Sequence, residues 1–415
     1  MAIDFSLSVE QRELRREARD FAHTHLAAVA GICRQQSDPQ TRFAATQPIY
    51  AEMVKAGYLR RIFPKAVGGD GEGMLEFAIL AEEFMAVDVN VPLTMFACML
   101  GLSPLLFGGT PEQVSRWMPQ FLNGSGTPLA AFGFSEPAGS ANFASSAPGT
   151  GVATTVRRDG DELIINGRKA WASNAAGWDN RGADISTVVC RTDKSMSPDN
   201  AVAVVVVPAG TDGIICEDPI DSMGHRAHLL PRVRYDDVRV PLDHLIGQPG
   251  DGVALAEQSF TATAAVVGAF AVGVMREAFD TVLSFSRNEN RGGPAPIIDY
   301  QAVGHALADA KMKIEAIRAM TWRACFALDA GEPGAKELSI QTKVFGAETA
   351  VEVISKLMLV MGVSSYDHDH RVAALLQDAC AFPLFDGGNL GVRRRQLHEL
   401  MQADGYNSLT AAGVD

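Results

Sequence analysis

The chain has 415 residues, of which 47% are apolar and 20% are charged, and its formal net charge is −13. This length exceeds what one simple core serves, so about two or three domains are expected in a soluble globular protein. The acidic balance argues against a nucleic-acid-binding protein, which needs basic surface to meet phosphates. Six scattered cysteines without a CxxC pair predict reduced thiols and a cytoplasmic location rather than disulfides or a zinc site.

Residues 1–126 have the pattern of a helical domain. The opening stretch, "MAIDFSLSVEQRELRREARDF", reaches charged residues at once and is therefore not a secretory signal peptide. Ser8 followed by Gln11 has the form of a capping box at a helix start. The segments that follow place apolar residues at helical spacing, with Gly and Pro between them.

Residues 127–242 change to short runs rich in β-branched residues. In "VATTVRRDGDELIINGRKAWASN" two such runs flank Asp159-Gly160-Asp161, which indicates a hairpin. Valine-rich runs continue this style further along the chain. We predict a β-domain here, either a sandwich or a barrel.

Residues 243–415 return to helical texture, with long patterned segments over 252–287, 299–330, 334–361 and 387–403. The apolar run Ala262–Met275 is too short to cross a bilayer and predicts a buried helix instead. The order of helices, β-domain and helices places the protein in the α+β class. No membrane association is expected.

Two motifs only weakly indicate a nucleotide-binding site or a metal site. "GGDGEG" (Gly68–Gly73) lacks the strand–turn–helix context of a dinucleotide fingerprint and is read as a loop. "DHDH" (Asp367–His370) alternates possible ligands, but no other His or Cys cluster joins it, so no metal site is predicted.

Three further segments have both a plain and a functional interpretation. In "FGFSEPAGSAN" (132–142), Ser135 could simply belong to a turn. In "INGRKAWASNA" (165–175), Trp171 could be ordinary core, as strand aromatics usually are. In "FPLFDGGNLGVRRRQ" (382–396), Asp386 could be a helix N-cap, which Asp favours.

Taken in order, these segments resemble the acyl-CoA dehydrogenase superfamily of flavoproteins over nearly the whole chain. The resemblance implies a helical domain, a β-domain and a C-terminal four-helix bundle, with FAD as cofactor. It places Trp171 beside the flavin ring and Ser173 near flavin N5, and it places Arg291 on the FAD pyrophosphate, often of a neighbouring subunit. The cofactor-binding residues that it implies are Phe132, Phe134, Ser135, Ser140, Asn142, Trp171, Ser173, Arg291, Gly362, Gly387 and Gly388. Asn142 stands where the family has Asp, and Gly362 alone remains of the family's Q-x-x-G-G-x-G glycines.

The departures from that pattern concern the substrate. The catalytic position holds Asp386 instead of the family's usual Glu. Members that act on CoA esters carry F-D-x-x-R on the first C-terminal helix, where this chain has Thr261 and Ala264. No acidic residue lies between Glu257 and Glu277, so Asp386 has no rival on that helix.

These features, with "SNAAGWDNRGAD" and "TRFAATQPIY", are similar to those of nitroalkane oxidases, which do not act on CoA esters. In that group an Asp removes the α-proton of a small neutral nitroalkane, nitrite leaves, an aldehyde or ketone forms, and O₂ reoxidises the flavin to give H₂O₂. By this resemblance Asp386 is the base, Arg393 supports it, and Thr263 stands in for a Ser near the base.

Two alternatives stay open at this point. One is an acyl-CoA dehydrogenase or oxidase acting on an unusual thioester, against which the missing F-D-x-x-R counts. The other is a flavin monooxygenase on the same scaffold, which would depend on a separate reductase. The resemblance also implies a homotetramer.

Overall fold

A computed structural model describes residues 6–145, 147, 150–368 and 370–413. They form a helical N-terminal part, a β-sheet and a helical C-terminal part, which confirms the predicted α+β class and its order. The N-terminal helices are α1 (Val9–His25), α2 (Val29–Gln35), α3 (Pro39–Ala45), α4 (Gln47–Lys55), α5 (Tyr58–Arg61), α6 (Met74–Val87), α7 (Asn90–Gly108), α8 (Pro111–Trp117) and α9 (Pro119–Leu122).

Local sequence determines how these helices begin. The Ser8 side chain accepts from the Gln11 backbone N–H, and the Gln11 side chain accepts from the Ser8 backbone N–H, so the predicted capping box is confirmed. Thr110 and Gln113 form the same box at the start of α8. Helices α6 and α7 are buried on nearly every side, which fits their mostly apolar sequences.

The middle part is one mixed sheet. Its strands are β1 (Ala130–Gly133), β2 (Thr155–Asp159), β3 (Glu162–Ala170), β4 (Ile185–Arg191), β5 (Val202–Pro208), β6 (Ile214–Glu217), β7 (Arg232–Pro241) and β8 (Leu245–Ile246), with a short helix α10 (Pro198–Ala201) before β5. The order is β6-β7-β3-β2-β4-β5-β8, and β1 pairs in parallel with β4. The predicted hairpin is confirmed, since Asp159 pairs with Glu162 across a two-residue turn. The described strands join in a single sheet whose order runs from β6 at one end to β8 at the other. The choice of a sandwich or a barrel, which depends on how this sheet curves, stays a prediction.

The C-terminal helices are α11 (Gly252–Asn288), α12 (Gln301–Asp329), α13 (Ala335–Met361), α14 (Arg371–Ala379) and α15 (Arg394–Gln402). The predicted segment 387–403 is not one regular helix: Gly388–Arg393 is a π-helix and α15 follows it. The sequence pattern did not predict α14. Helix α11 packs against α12, α13, α6 and α7, so it connects the N-terminal and C-terminal parts.

Helices α7 and α11 are long and apolar enough to cross a membrane by length and composition alone. The apolar run Ala262–Met275 is too short to cross a bilayer, as the sequence analysis says. The 37-residue helix α11 that contains this run is long enough. In their most apolar windows 72% of α7 and 78% of α11 is buried inside the protein. Both helices therefore belong to the core of this fold.

Candidate active site

A cavity of about 580 Å³ opens where the three parts of the chain meet. Helices α6, α7 and α11, the ends of β1 and β3, and the segment after α14 all contribute to its wall. Most of the lining side chains are apolar, and none of the described residues that line it is Lys or Arg. The polar side chains on the wall are Ser135, Ser140, Ser173, His225, His228, Thr263 and Asp386.

Asp386 presents a carboxylate to this apolar space. Its side chain is 6% exposed. Thr263 on α11 donates its hydroxyl to Asp386 Oδ1 at 2.9 Å, and Arg393 Nη2 donates to Asp386 Oδ2 at 2.7 Å. Asp386 is therefore not the N-cap that its sequence context also allowed, and Gly387 caps the following π-helix instead.

The backbone around Asp386 is shaped to hold this arrangement. Asp386 and Gly387 both adopt left-handed conformations, with φ of +51° and +88°. Only glycine enters that region without strain, and a Cβ on Gly387 would lie 2.9 Å from Arg393 Nε. The fully buried Arg393 lies beneath this turn, donating from Nε to the Asp386 carbonyl at 2.8 Å and from Nη2 to the Phe260 carbonyl at 2.9 Å. Gly387 thus makes room for the guanidinium that pairs with the carboxylate.

A second cation lies behind the π-helix. Lys343 on α13 is buried and donates from Nζ to Asn389 Oδ1 at 2.5 Å. Asn389 in turn donates to the Val344 carbonyl and to Glu348 Oε1, each at 3.1 Å. Burial lowers the pKa of Lys343 to about 7, although the charge of Asp386 opposes this. Lys343 and Asn389 therefore fix the segment that follows Asp386.

The loop after β1 rests on a buried ion pair. Lys169 Nζ donates to Glu136 Oε1 at 2.8 Å, and both side chains are almost fully buried. Glu136 also accepts the backbone N–H groups of Ala153 and Thr154 at 2.8 and 2.9 Å, while its own N–H donates to Ser140 Oγ at 3.1 Å. This pairing holds Ser135 and Ser140 on the cavity wall.

The end of β3 brings an aromatic ring and a hydroxyl to the same wall. Trp171 has φ of +63°, a strained value for a bulky residue, and it is 41% exposed. The backbone then turns through Asn174, which is buried and donates to the carbonyls of Thr94 and Ala130 at 2.9 and 3.1 Å. Trp171 is therefore not ordinary core, since the fold holds it in an unfavourable conformation with its side chain partly open.

Two buried histidines follow in the loop before β7. His228 Nε2 lies 2.8 Å from Ser173 Oγ, and its Nδ1 lies 3.2 Å from Thr94 Oγ1. Burial lowers the pKa of His228 to about 3 and that of His225 to about 4, so both are neutral at ordinary pH. His225 is held by its backbone N–H, which donates to Asp378 Oδ1 at 2.7 Å.

The structure brings most of the predicted site residues together. Those on the cavity wall are Phe132, Phe134, Ser135, Ser140, Trp171, Ser173, Thr263, Asp386, Gly387 and Gly388. Arg393 lies directly behind Asp386. Asn142, Arg291 and Gly362 do not line the cavity. Arg291 instead donates to the Met361 carbonyl and to Ser364 Oγ, beside Gly362 at the end of α13, so the cofactor roles of these three residues stay predictions.

Other site residues were missed by the sequence reasoning. Lys169 and Glu136 belong to the motifs at 165–175 and 132–142. Each is a charged residue in a segment of mostly apolar or small residues, and this contrast could have marked them as a buried pair. His228, Lys343 and Asn389 lie far along the chain from the residues that they contact. No local pattern marks such pairs, because only the fold brings them together.

The cavity fits the isoalloxazine end of a flavin. Trp171 offers a partly open aromatic face, and the hydroxyls of Ser135, Ser140 and Ser173 surround the same space as hydrogen-bonding groups. Asp386 stands on the wall of the same cavity. The "DHDH" segment does not enter this site, and its Asp369 lies outside the described residues.

Comparisons with known proteins agree with this site. Models of the acyl-CoA dehydrogenase N-terminal, middle and C-terminal domains match residues 8–125, 131–238 and 250–401. The nitroalkane oxidase of Podospora anserina is 39% identical, and the match covers 98% of each chain. The nitroalkane oxidase of Fusarium oxysporum is 36% identical over 99% of this chain and 97% of its own.

Solved structures show the same relationship. An active-site mutant of nitroalkane oxidase crystallised with 1-nitrooctane superposes with a TM-score of 0.95 at 34% identity, covering 99% of both chains. Butyryl-CoA dehydrogenase from Megasphaera elsdenii gives a TM-score of 0.85 at 25% identity, covering 95% of this chain and all of the other. The chain therefore belongs to the acyl-CoA dehydrogenase family of FAD-dependent oxidoreductases, with full-length similarity to the nitroalkane oxidases.

Proposed function

We propose that the protein is an FAD-dependent oxidase of small nitroalkanes. The observation that carries the proposal is Asp386, a carboxylate on the wall of an apolar cavity, held by Thr263 and by the buried Arg393. The similarity to two nitroalkane oxidases over the whole chain supports the same substrate class. In the overall reaction a primary nitroalkane, O₂ and water give an aldehyde, nitrite and H₂O₂.

Asp386 has the position and chemistry of the base in this reaction. The α-proton of a nitroalkane is acidic for a C–H bond, and a carboxylate within hydrogen-bond reach can remove it. The bonds from Thr263 and Arg393 fix the orientation of the carboxylate, so little reorganisation is required as the proton transfers. Phe260, Phe270 and Phe385 surround the reacting space with apolar surface that excludes water and accepts an alkyl chain.

FAD, when bound, supplies the two-electron acceptor that the carbanion requires and passes those electrons to O₂. Trp171, Ser135, Ser140 and Ser173 are the residues of the cavity that would hold its ring. Gly388 leaves the wall open at the base, since nothing lies within 4 Å of where its Cβ would stand.

The direct test mixes the FAD-loaded protein with nitroethane or 1-nitropropane and measures nitrite, H₂O₂ and flavin bleaching. We expect Asp386→Asn to lower kcat/KM for nitroethane by about 10²–10⁴-fold, the range typical of a general base. The matched control is the preformed ethyl nitronate anion, which has already lost the proton and should remain a substrate of the variant. Absence of nitrite from both nitroalkanes with the wild-type protein would refute the substrate assignment.

Action on an acyl-CoA is the competing function, and the cavity gives it less support. Thr261 and Ala264 stand where CoA-dependent relatives carry Asp and Arg, and no cationic side chain is found among the described residues of the wall. Anaerobic bleaching of the flavin by acyl-CoA esters, with none by nitroalkanes, would reverse the choice. Dependence of turnover on an added flavin reductase would favour a monooxygenase.

We also propose that the protein assembles as a homotetramer and works in the cytoplasm. Large apolar side chains lie open on the C-terminal part, including Leu359, Val363 and Tyr366, which are 80%, 84% and 82% exposed. Arg291 lies beside this surface rather than at the cavity, which suits a contact made to a neighbouring subunit. All six cysteines are free thiols, as a reducing compartment would keep them. Light scattering and cell fractionation test the two statements separately.

A further inference from the structure

Asp386 lies in a closed turn that runs from Pro383 to Asn389. The Asn389 backbone N–H donates to the Pro383 carbonyl at 2.8 Å and closes this turn. Asp386, Gly387 and Gly388 follow one another in left-handed conformations, with φ of +51°, +88° and +57°. This conformation is unfavourable for the non-glycine residue Asp386 and persists only where the surrounding structure holds it. The position of the carboxylate therefore depends on how the closed end of the turn is held.

The Asn389 side chain connects that closed end to α13. Its amide nitrogen lies 3.1 Å from the Val344 carbonyl oxygen and 3.1 Å from Glu348 Oε1. A carbonyl oxygen only accepts, and hydrogen bonds from Arg394 lower the pKa of Glu348, so that its carboxylate is ionised and also only accepts. Both amide protons are thus used. The remaining atom, Asn389 Oδ1, accepts from Lys343 Nζ at 2.5 Å.

Lys343 is an unfavourable residue for this buried place. Its side chain is fully buried on α13. Among the residues that the structure describes it makes one hydrogen bond, and the partner is the neutral amide of Asn389 rather than a carboxylate. Lysine is almost never fully buried unless it is paired, and an apolar side chain would fill the same space without desolvating an amine. Such an exception points to a functional requirement at this position.

We propose that Lys343 is a positioning residue for Asp386, acting through Asn389 to hold the turn that presents the carboxylate to the cavity. Arg393 ties the same turn to α11 through the Phe260 carbonyl at 2.9 Å, and Lys343 ties it to α13. The carboxylate is thus anchored to two helices of the C-terminal part. The inference rests on the proposed function, because it concerns removal of the nitroalkane α-proton by Asp386.

Lys343→Met in the FAD-loaded protein is the test. Methionine is also unbranched and fills similar space, but it offers no donor, so Asn389 Oδ1 loses its partner. Because a small displacement of a reacting group slows its reaction steeply, we expect kcat/KM for nitroethane to fall about 10- to 100-fold. The value for preformed ethyl nitronate, which needs no base, should stay within about threefold of wild type. A purely structural role would lower both values together.

Lys336→Met is the matched control. Lys336 lies on the same helix, is 40% exposed and pairs with Glu257 at 3.2 Å, so the same substitution there should leave both values unchanged. The double variant Lys343→Met with Asn389→Leu serves if the single variant does not fold, because it removes the buried oxygen left without a donor. It should show the same selective loss, and it should be no slower than Asn389→Leu alone, since Lys343 acts through Asn389.

Three results would count against these assignments in different ways. Wild-type kcat/KM for nitroethane in the folded Lys343→Met protein, or an equal fall for nitroethane and the nitronate, would overturn the role of Lys343. A wild-type protein that releases no nitrite from nitroalkanes would refute the proposed function instead. A crystal structure of Lys343→Met then decides the inference, because Asp386 should have left its bonds to Thr263 and Arg393. An unmoved Asp386 would overturn it.

Discussion

Asp386 has a donor on each carboxylate oxygen, and the two donors come from different elements. Thr263 belongs to α11, and Arg393 ends the π-helix that follows Asp386. A carboxylate held from two sides keeps one rotamer, which a base acting on a C–H bond requires. The Thr263 hydroxyl also lies 3.2 Å from the Ser259 carbonyl and 3.4 Å from the Phe260 carbonyl, so its one proton has three possible acceptors.

By the resemblance to nitroalkane oxidases, Thr263 stands in place of a Ser. The part that its hydroxyl plays can be tested. Thr263→Val keeps the branched shape and removes the hydroxyl, so the ionised base loses one donor. A hydrogen bond to a charged group contributes roughly 1.5–3 kcal/mol. We expect kcat/KM for nitroethane, measured by nitrite release, to fall about 10- to 100-fold.

Thr263→Ser is the matched control for that measurement. It keeps the hydroxyl and removes only the methyl, so its kcat/KM should stay within about threefold of the wild-type value. A valine variant as active as the serine variant would show that the bond to Asp386 Oδ1 has no part in the reaction.

At the scale of elements, the turn and π-helix from Asp386 to Arg393 show what a sequence pattern can and cannot predict. The family resemblance carried by the short motif "LFDGGN" placed Asp386 at the site, and Asp386 does line the cavity, while its role as the base stays a prediction. The π-helix was not predicted, since its geometry depends on Arg393 lying beneath Gly387 and on Lys343 reaching Asn389 from α13. A hydrophobic period near 3.6 residues does not distinguish a π-turn from an α-helix.

The same limit explains the other differences. The long amphipathic helices α11, α12 and α13 were predicted to within a few residues because their periodicity persists over many turns. Helix α14 is nine residues long and follows a loop, so its pattern was too short to identify. The sheet order could not be read at all, because strand pairing between β3 and β7 joins segments that are far apart in sequence.

Gly387 and Gly388 give a matched pair of variants for this element. Gly387→Ala places a Cβ 2.9 Å from Arg393 Nε at a φ of +88°, so we expect a loss of about 2 kcal/mol in unfolding free energy together with a fall in activity. Gly388→Ala meets nothing within 4 Å and has a φ of +57°, so only the backbone strain of about 1 kcal/mol applies. Urea denaturation and nitrite release measure the two quantities. Equal losses for both variants would mean that contact with Arg393 is unimportant.

At the scale of the whole molecule, a buried ion network joins the N-terminal and C-terminal parts. Glu83 on α6 accepts from Arg276 on α11 at 2.7 Å and from Arg15 on α1 at 2.6 Å. Its neighbour Glu82 accepts from Arg318 on α12 at 2.9 and 3.0 Å. The network lies away from the residues that line the cavity, so it concerns the relation of the domains rather than the chemistry.

This network makes domain stability depend on pH in a defined direction. Burial alone would raise the pKa of Glu83, but hydrogen bonds from Arg276, Arg19 and Arg15 outweigh it and lower the pKa to about 2. The folded state therefore binds the proton more weakly than the unfolded state, whose glutamate has a pKa near 4.5. The stabilisation is complete above about pH 4.5 and is lost as the pH falls toward about 2.

Glu83→Gln tests this reasoning, because glutamine imitates the protonated side chain at every pH. The shift in pKa corresponds to about 3 kcal/mol of unfolding free energy near neutral pH. We expect the difference in stability between wild type and variant, followed by urea denaturation, to be constant from pH 7 to about 5. Below about pH 4.5 it should shrink by roughly 1.4 kcal/mol per pH unit.

Glu52→Gln is the control, since Glu52 is 45% exposed and lies 3.6 Å from Lys55, and its effect should stay within about 0.5 kcal/mol throughout. A Glu83→Gln difference that persists undiminished at pH 3 would show that the loss comes from altered packing around four helices and not from the charge of Glu83.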